Sequence, residues 1–448
     1  MEESSRSEGS QSKEGHIIEV KEEMEGEEGD QGSHQLVSKM KQKMEDVSKL
    51  VFIFRIPRSE NDKEYTPSKV SIGPIHHKAT KTLEIEDHKW KYTASLLNRK
   101  PNLEATIDAC VKALKESEHR IRKCYGEQFN NIKSNDFVEI ILVDCCFIIE
   151  LFLKFSIKGL RRRNDTIFTT PGSLYELRSD MILLENQIPL FVLLQIFHIV
   201  PIPPQCTMSF NQLASRFFRN MVPGDLQYLH EKFNQEGYHF LDLIRRCIIP
   251  ARVLPNKTSC TTSDPKGLES ATRLQKAGIR FKRGWTYSLL DVTFHHRGVL
   301  TIPQLEIKEC TEELLRNLIA LETHLADTQQ TTSYAFLMHC LVKSKKDVEL
   351  LGERRVLSYE EGKEDDVVAM FQKLGEKVTA KDSYYLRLLE QVHEYHTKNL
   401  HSKWGKLMSG CAKKTTLSFV VFVVAILLLV LTFVGVFFSV LSFFLHRS

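Results

Sequence analysis

The sequence predicts a mainly α protein: a large helical domain, a small antiparallel β element at 279–307 within it, and a single C-terminal transmembrane helix. Three observations predict this. Apolar residues recur at steps of three and four through most of 90–249 and again from 311 onward, the spacing of helices buried on one side. Runs of β-branched residues punctuated by glycine and proline interrupt that period between 279 and 307. Finally, Leu417–Leu445 is a run of 29 residues without a charge or a histidine. At about 1.5 Å per residue it extends roughly 43 Å, more than the roughly 30 Å hydrocarbon layer of a bilayer.

Charge is polarised along the chain. Residues 1–33 hold eleven acidic and three basic residues, too little apolar surface to offset the entropy of ordering, and are expected to be a disordered tail. From Tyr395 to the end there is no Asp or Glu. Lys398, Lys403, Lys406, Lys413 and Lys414 precede the hydrophobic run and one arginine follows it, so the positive-inside rule keeps the bulk of the chain cytosolic. The N-terminus has no apolar core of the kind a secretory signal needs. We therefore read a tail-anchored, single-pass topology with the lipid bilayer as partner. Anionic headgroups would meet Lys403, Lys406, Lys413 and Lys414, and nucleic acid is not expected as a partner because the basic residues concentrate beside the anchor. Cys411, next to that border, is a candidate for palmitoylation. Asn164 and Asn256 begin glycosylation sequons that would be used only on the lumenal side.

The helical domain is assigned to 50–405. Leu50-Val51-Phe52-Ile53-Phe54 opens it, and Val70–Ile72 is a short extended piece between the turns marked by Pro67 and by Gly73-Pro74. Trp90, Ala94 and Leu97 share one helix face. Leu103, Ile107, Cys110, Leu114, Ser117, Ile121 and Cys124 form a heptad stripe that suits burial against the domain better than a coiled coil. Phe137–Phe155 is nearly continuously apolar, yet Glu139, Asp144 and Glu150 make it a core helix and not a second span. Asp136, Glu139, Glu150 and Lys154 fall on one polar stripe, whereas Asp144 points into the apolar face and needs a partner. Arg161, Arg162 and Arg163 read as a surface loop. Leu174–Val200 is expected to bend at Pro189, with Glu185, Asn186 and Gln187 satisfying backbone groups that the proline frees. Further helices are expected near Tyr238–Ile249 and over Ala271–Ala277, the latter stopped by Gly278. Residues 250–270 are a flexible connection and a candidate lobe boundary. Beyond the β element, a helix capped by Thr311 begins the C-terminal series, which ends in one running from Ser383 through Trp404.

No phosphate loop, dinucleotide fingerprint, zinc-protease motif, nucleophile elbow or kinase signature occurs. The ten cysteines lack metal or disulfide-scaffold spacing, and Cys145 and Cys146 read as small buried hydrophobes. No catalytic, cofactor-binding or metal-ligating residue is assigned. Two classes of function stay open. One is a membrane-tethered interaction or signalling component with an unidentified protein partner. The other is a membrane-associated hydrolase using Asp144 and Glu185 with His76 or His77.

Ile56-Pro57-Arg58, Pro67-Ser68-Lys69-Val70-Ser71-Ile72-Gly73-Pro74 with His76, Lys89-Trp90-Lys91-Tyr92, Leu142 to Phe152, Leu183-Leu184-Glu185-Asn186-Gln187-Ile188-Pro189, Gly298 to Pro303 and Thr311 to Ala320 together resemble the plant domain-of-unknown-function 247 family. The resemblance covers about Ile53 to the C-terminus. It implies a largely helical domain, a C-terminal membrane helix and a plant source. Some grass relatives are associated with self-incompatibility recognition, which implies an interaction role. It brings no catalytic residues.

Overall fold

A computed structural model of the protein describes residues 51–57, 64–77, 83–250, 268–325, 329–376, 384–398 and 416–445. The acidic tail 1–33, most of the connection 250–270, and Cys411, Asn256, Lys403, Lys406, Lys413 and Lys414 lie outside them.

The first half is built around one helix. Helix α1 (Leu83–Leu97), α2 (Leu103–Lys123) and α3 (Ser134–Ser156) are followed by the short α4 (Thr166–Thr169), then α5 (Ser173–Met181), α6 (Leu190–Ile199) and α7 (Phe210–Phe218). Helix α3 is apolar nearly all round, so it is stable only where neighbours surround it; α1, α2, α6 and α7 pack against it. On one side Phe152 meets Phe210, Phe217 and Phe240, with ring centroids 5.8, 4.8 and 5.6 Å apart. The heptad stripe of α2 turns inward, burying Cys110, Leu114 and Ile121, so it is a packing face and not a coiled-coil seam. The expected polar stripe of α3 holds only at its start. Glu150 is sealed against Arg99 (2.6 Å), and Lys154 against Asp165 (2.9 Å). Helical angle alone did not reveal that the turn after α1 and the loop after α3 supply those partners. Arg161 caps the carboxyl end of α3 by donating to the carbonyls of Lys154 and Phe155.

Local caps explain several boundaries. Ser209 and Gln212 form a reciprocal capping box on α7. Asp225 caps α8 (Leu226–Phe233). In α9 (Phe240–Ile248) the cap is His239, whose Nδ1 accepts from the Asp242 N–H while its Nε2–H donates to the Phe52 carbonyl. Helix α10 (Ala271–Lys276) ends as expected at Gly278, with φ of 102° and the paired bonds Ile279 N to Leu274 O and Gly278 N to Gln275 O.

The β element departs from expectation. Strands β1 (Arg280–Gly284), β2 (Thr293–His295) and β3 (Val299–Pro303) form a mixed sheet in the order β1-β3-β2, with β1 parallel to β3 and β2 antiparallel to it. Strand β4 (Leu305–Glu306) pairs in parallel with β5 (Leu357–Ser358). Within the β-branched run expected at 288–294, only the end is strand, in β2; Ser288–Leu290 is a loop pinned to α9, because Ser288 Oγ and the Leu290 N–H both donate to the Ile248 carbonyl. Alternation reports which face a residue occupies and not the direction of its neighbour, which is why the antiparallel expectation fails.

The second half comprises α11 (Thr311–His324), α12 (Gln330–Leu341), α13 (Lys345–Glu353) and α14 (Glu364–Gly375). Thr311 is the first helical residue and not the cap; its hydroxyl accepts from the Lys308 N–H before the helix begins. The buried Glu322 accepts from the Thr331 and Thr332 N–H groups at the start of α12, placing a negative charge where the helix dipole favours one. Helix α15 (386–398) follows. Buried residues from both sides of 251–267, such as Ile244 and Leu318, belong to one hydrophobic cluster.

Helix α16 (Thr416–Leu445) occupies the uncharged C-terminal run. Its side chains are described at 423–438, and all of them are exposed. Among the described residues no helix is long and apolar enough to cross a membrane, so the single C-terminal transmembrane helix expected from the sequence is not supported by them; the described side chains of α16 span only 423–438.

Two stability outcomes follow. Phe152→Ala is expected to cost about 3–5 kcal/mol in a denaturant melt, the loss of a large ring from a packed cluster. Burial holds the His239 imidazole down at about 4, against the opposing pull of Asp242 and of its bond to Phe52. The unfolded chain therefore binds a proton that the folded chain refuses. Stability is full above about 6.5 and falls by roughly 3 kcal/mol as the pH drops to about 4. His239→Asn, which keeps a capping oxygen, is expected to flatten that part of the stability profile measured by unfolding at stepped pH.

Candidate functional site

Segment 65–77, a series of turns around the short extended piece 70–72, forms a strap whose backbone is held by buried side chains far away in sequence. Three successive N–H groups, from Ser68, Lys69 and Val70, donate to the Asp180 carboxylate at 2.8, 2.6 and 2.7 Å. Asn186 Oδ1 accepts from the Ile72 N–H (2.6 Å), and its Nδ2 donates to the carbonyls of Val70 and Asp180. Asp144 Oδ2 accepts from the Gly73 N–H at 2.8 Å. Gly73 sits at φ 74°, and a Cβ there would lie 2.7 Å from the Gln187 carbonyl oxygen, so only glycine fits.

Lys89 is the partner that Asp144 required. Its Nζ lies 2.7 Å from Asp144 Oδ1 and 2.8 Å from Glu86, and it donates to the Ser71 carbonyl at 2.6 Å. Burial works against its charge, but the two carboxylates outweigh that and hold the ammonium above its ordinary range. Glu185 lies on the other side of the strap. Its Oε1 accepts from the Ile56 N–H and its Oε2 meets His76 Nε2, both at 2.8 Å.

The residues singled out for acid–base work are thus each assigned a place. Glu185 and His76 do meet, but both are buried, at 0% and 6% exposure. Asp144 pairs with Lys89 instead. His77 is half-buried on the wall of a neighbouring cleft. Glu185, Asn186 and Gln187 lie in the loop between α5 and α6. Gln187 satisfies the carbonyls of Met181 and Leu183 at the end of α5, which are not groups that Pro189 frees. Glu185 and Asn186 reach instead to the distant strap. Burial pushes the thiols up, Cys110 to about 11 and Cys124 to about 12, which keeps them protonated and unreactive. Among the described residues no three His, Cys, Asp or Glu side chains are grouped to hold a metal. Asn164 is exposed on its loop.

Two residues of this network escaped the sequence reading. Asp180 stands in the last turn of α5, where a negative charge opposes the helix dipole; that misfit is the signal that could have found it. Lys89 occupies a core position of α1 between Ile85 and Tyr92. Counting it as polar disguised the true buried face of that helix, so the apolar stripe Trp90, Ala94 is open to solvent.

That stripe forms the accessible feature of the region. An apolar groove of about 500 Å³ runs between α1, α2 and α3, lined by Ala94, Leu97, Ile107, Val111, Val138 and Leu142 among others. Trp90, 51% exposed, stands on the ridge between this groove and a polar cleft of about 740 Å³. Glu86, Glu127, Asp136 and Glu139 line the cleft. Arg55 answers Glu127 (3.1 Å) and Lys89 answers Glu86, whereas Asp136 and Glu139 stand exposed.

Removing one partner of the buried pair tests the strap. Lys89→Met is expected to cost about 3–5 kcal/mol by leaving the Asp144 charge uncompensated. Adding Asp144→Asn should recover part of that loss, because the amide removes the charge and still accepts from Gly73. A double variant no more stable than the single one in thermal unfolding would show that the two are not coupled.

The sequence pattern of a family described as "Plant protein of unknown function", DUF247, matches residues 53–431. The chain is 29% identical over 380 residues to the UPF0481 protein At3g47200 of Arabidopsis thaliana, covering 79% of each chain. It is 24% identical to the putative UPF0481 protein At3g02645 of the same plant, over 88% of this chain and 91% of that one. No solved structure matches. The strap, Lys89, Asp144 and the Glu185–Gln187 loop all fall within the matched span, and the chain belongs to the DUF247 family of plant proteins.

Proposed function

We propose that this protein is a membrane-anchored interaction component whose helical domain receives a basic amphipathic helix of a partner protein in the α1–α2–α3 groove. The observation that carries the reading is the placement of Trp90. It is a large, half-exposed aromatic between an apolar groove and a cleft with two exposed carboxylates, Asp136 and Glu139, which have no ion-pair partner among the described residues. Such a surface suits a helix whose apolar side chains enter the groove and whose Lys or Arg residues face the cleft. Of the acid–base groups weighed for a hydrolase, Asp144, Glu185 and His76 are buried and bonded to the strap backbone and to each other or Lys89; Asp144 and His77 line the same cleft, where Asp144 is held by Lys89 and the Gly73 amide.

Anchoring is supported by α16, whose described side chains at 423–438 are apolar or uncharged and all exposed. Water does not tolerate an apolar surface of that extent without a cover. The described part of α16 is too short for a span, and the cover we propose for the full uncharged run Leu417–Leu445 is a bilayer. The lysine-rich border then keeps the domain cytosolic, and Cys411 lies where a palmitoyl chain would reinforce attachment.

Both parts are open to test. A glycosylation tag appended after Ser448 is expected to be modified in membranes while the exposed Asn164 stays bare; sugar on Asn164 would reverse the topology. For the groove, a photo-crosslinking residue at Ile107 in the full-length protein should capture a segment with apolar residues at helical spacing and flanking Lys or Arg. The captured segment, made as a peptide, should bind Trp90→Ala roughly thirtyfold more weakly than the native protein, in line with loss of about 2 kcal/mol at an aromatic anchor. An acidic captured segment, or equal binding to both proteins, would overturn the reading.

A further inference from the structure

We infer that the outer face of the mixed sheet is a second membrane contact, which binds anionic phospholipid headgroups and lays the domain against the bilayer that anchors it. The inference rests on the anchoring proposed above. Its first support is the register. With Phe281, Leu300 and Ile302 turned into the core, the opposite face carries two rows across the strands, Arg280–Val299–His295 and Lys282–Thr301–Thr293. The hairpin adds His296 and Arg297. These cationic and imidazole side chains line a shallow depression of about 590 Å³, and no carboxylate lines it.

The charge there is uncompensated. Among the described residues Arg280, Lys282 and Arg297 have no ion-pair partner. Elsewhere in the second half Lys345 pairs with Glu364, Lys363 with Glu360 and Lys373 with Glu312, whereas the exposed Lys343 and Lys346 stand singly and not in a cluster. A concentrated, unanswered positive face calls for an anionic surface.

Position selects which anion. Tyr395 of α15 packs on this hairpin. Its ring is 5.8 Å from that of Phe294 and lies over Gly298, where φ is 74° and a Cβ would fall 2.3 Å from the tyrosine. The last described residue of the chain before the C-terminal run, Lys398, is thus three residues past this contact with the hairpin. Only eighteen residues separate Lys398 from Leu417, among them four lysines and no acid. They reach at most about 60 Å when extended and about 27 Å when helical. A tether that short keeps bilayer phosphates at high effective concentration at the face, an advantage that no untethered polyanion shares. Strand β1 also leads into Trp285, 79% exposed, an indole of the kind found at headgroup level.

The test uses the full chain reconstituted in vesicles. Thr293, exposed in the Lys282 row, is changed to Cys and given an environment-sensitive fluorophore in a chain whose Cys206, Cys260 and Cys411 are serine. Quenching by bromine-labelled lipid is then compared between phosphatidylcholine vesicles and phosphatidylcholine–phosphatidylserine vesicles. Each cation near an anionic surface contributes about fivefold in occupancy. Quenching should accordingly rise at least that much with phosphatidylserine, and fall back to the phosphatidylcholine level in R280E/K282E/R297E. Equal quenching in the two vesicles, or quenching that survives the triple charge reversal, overturns the inference. Resistance to alkaline extraction, measured on the same samples, reports the anchor separately. An integrated chain whose label stays unquenched retains the anchor and loses the headgroup face. An extractable chain whose label is quenched only with phosphatidylserine keeps the face and loses the anchor.

Discussion

The structure depends on satisfying the backbone of one buried strap. Segment 65–77 lies against the core without a strand partner, so its N–H and C=O groups would each cost free energy if left alone. Asp180, Asn186, Asp144 and Lys89 supply the missing bonds, and Glu185 extends the same service to Ile56 and His76. Side chains from α1, α3, α5 and the α5–α6 loop thereby converge on one stretch of chain. Each is buried, and each is compensated by the strap or by another member of the set.

This arrangement explains why Asp144, Glu185 and His76, which look catalytic in the sequence, are buried. A buried carboxylate needs bonds to keep its place, and here the bonds run to amides and to Lys89. The groups available to a partner are those left outside: Trp90 on its ridge, the groove beside it, and the carboxylates Asp136 and Glu139. The mixed sheet shows the same division, with Phe281 and Leu300 facing the core and Arg280 and Lys282 facing out. The exposed surfaces are thus laid over a core in which the polar chemistry is already used.

Much of the helical architecture was legible in the sequence because periodicity reports burial directly. The inward stripe of Cys110, Leu114 and Ile121, the Gly278 stop and the core placement of Asp144 all follow from spacing and residue type. The misreadings share one cause. Lys89 and Glu150 are charged residues at core positions, and Ser288–Leu290 has β-branched and apolar neighbours yet is bonded to α9. In each case a contact distant in sequence overrides the local signal.

By itself the sequence determined the helical class, the polarity of charge from an acidic head to a lysine-rich border, and the uncharged run at the C-terminus. These are properties of neighbouring residues, set by composition and by a period of three to four. Only the tertiary structure decided that Asp144 answers Lys89, that three strap amides meet on Asp180, that β1 runs parallel to β3, and that Trp90 stands open between groove and cleft. Those outcomes depend on which distant segments come into contact, and hydrogen-bond partners for a buried backbone are chosen by proximity in space, which local pattern does not encode.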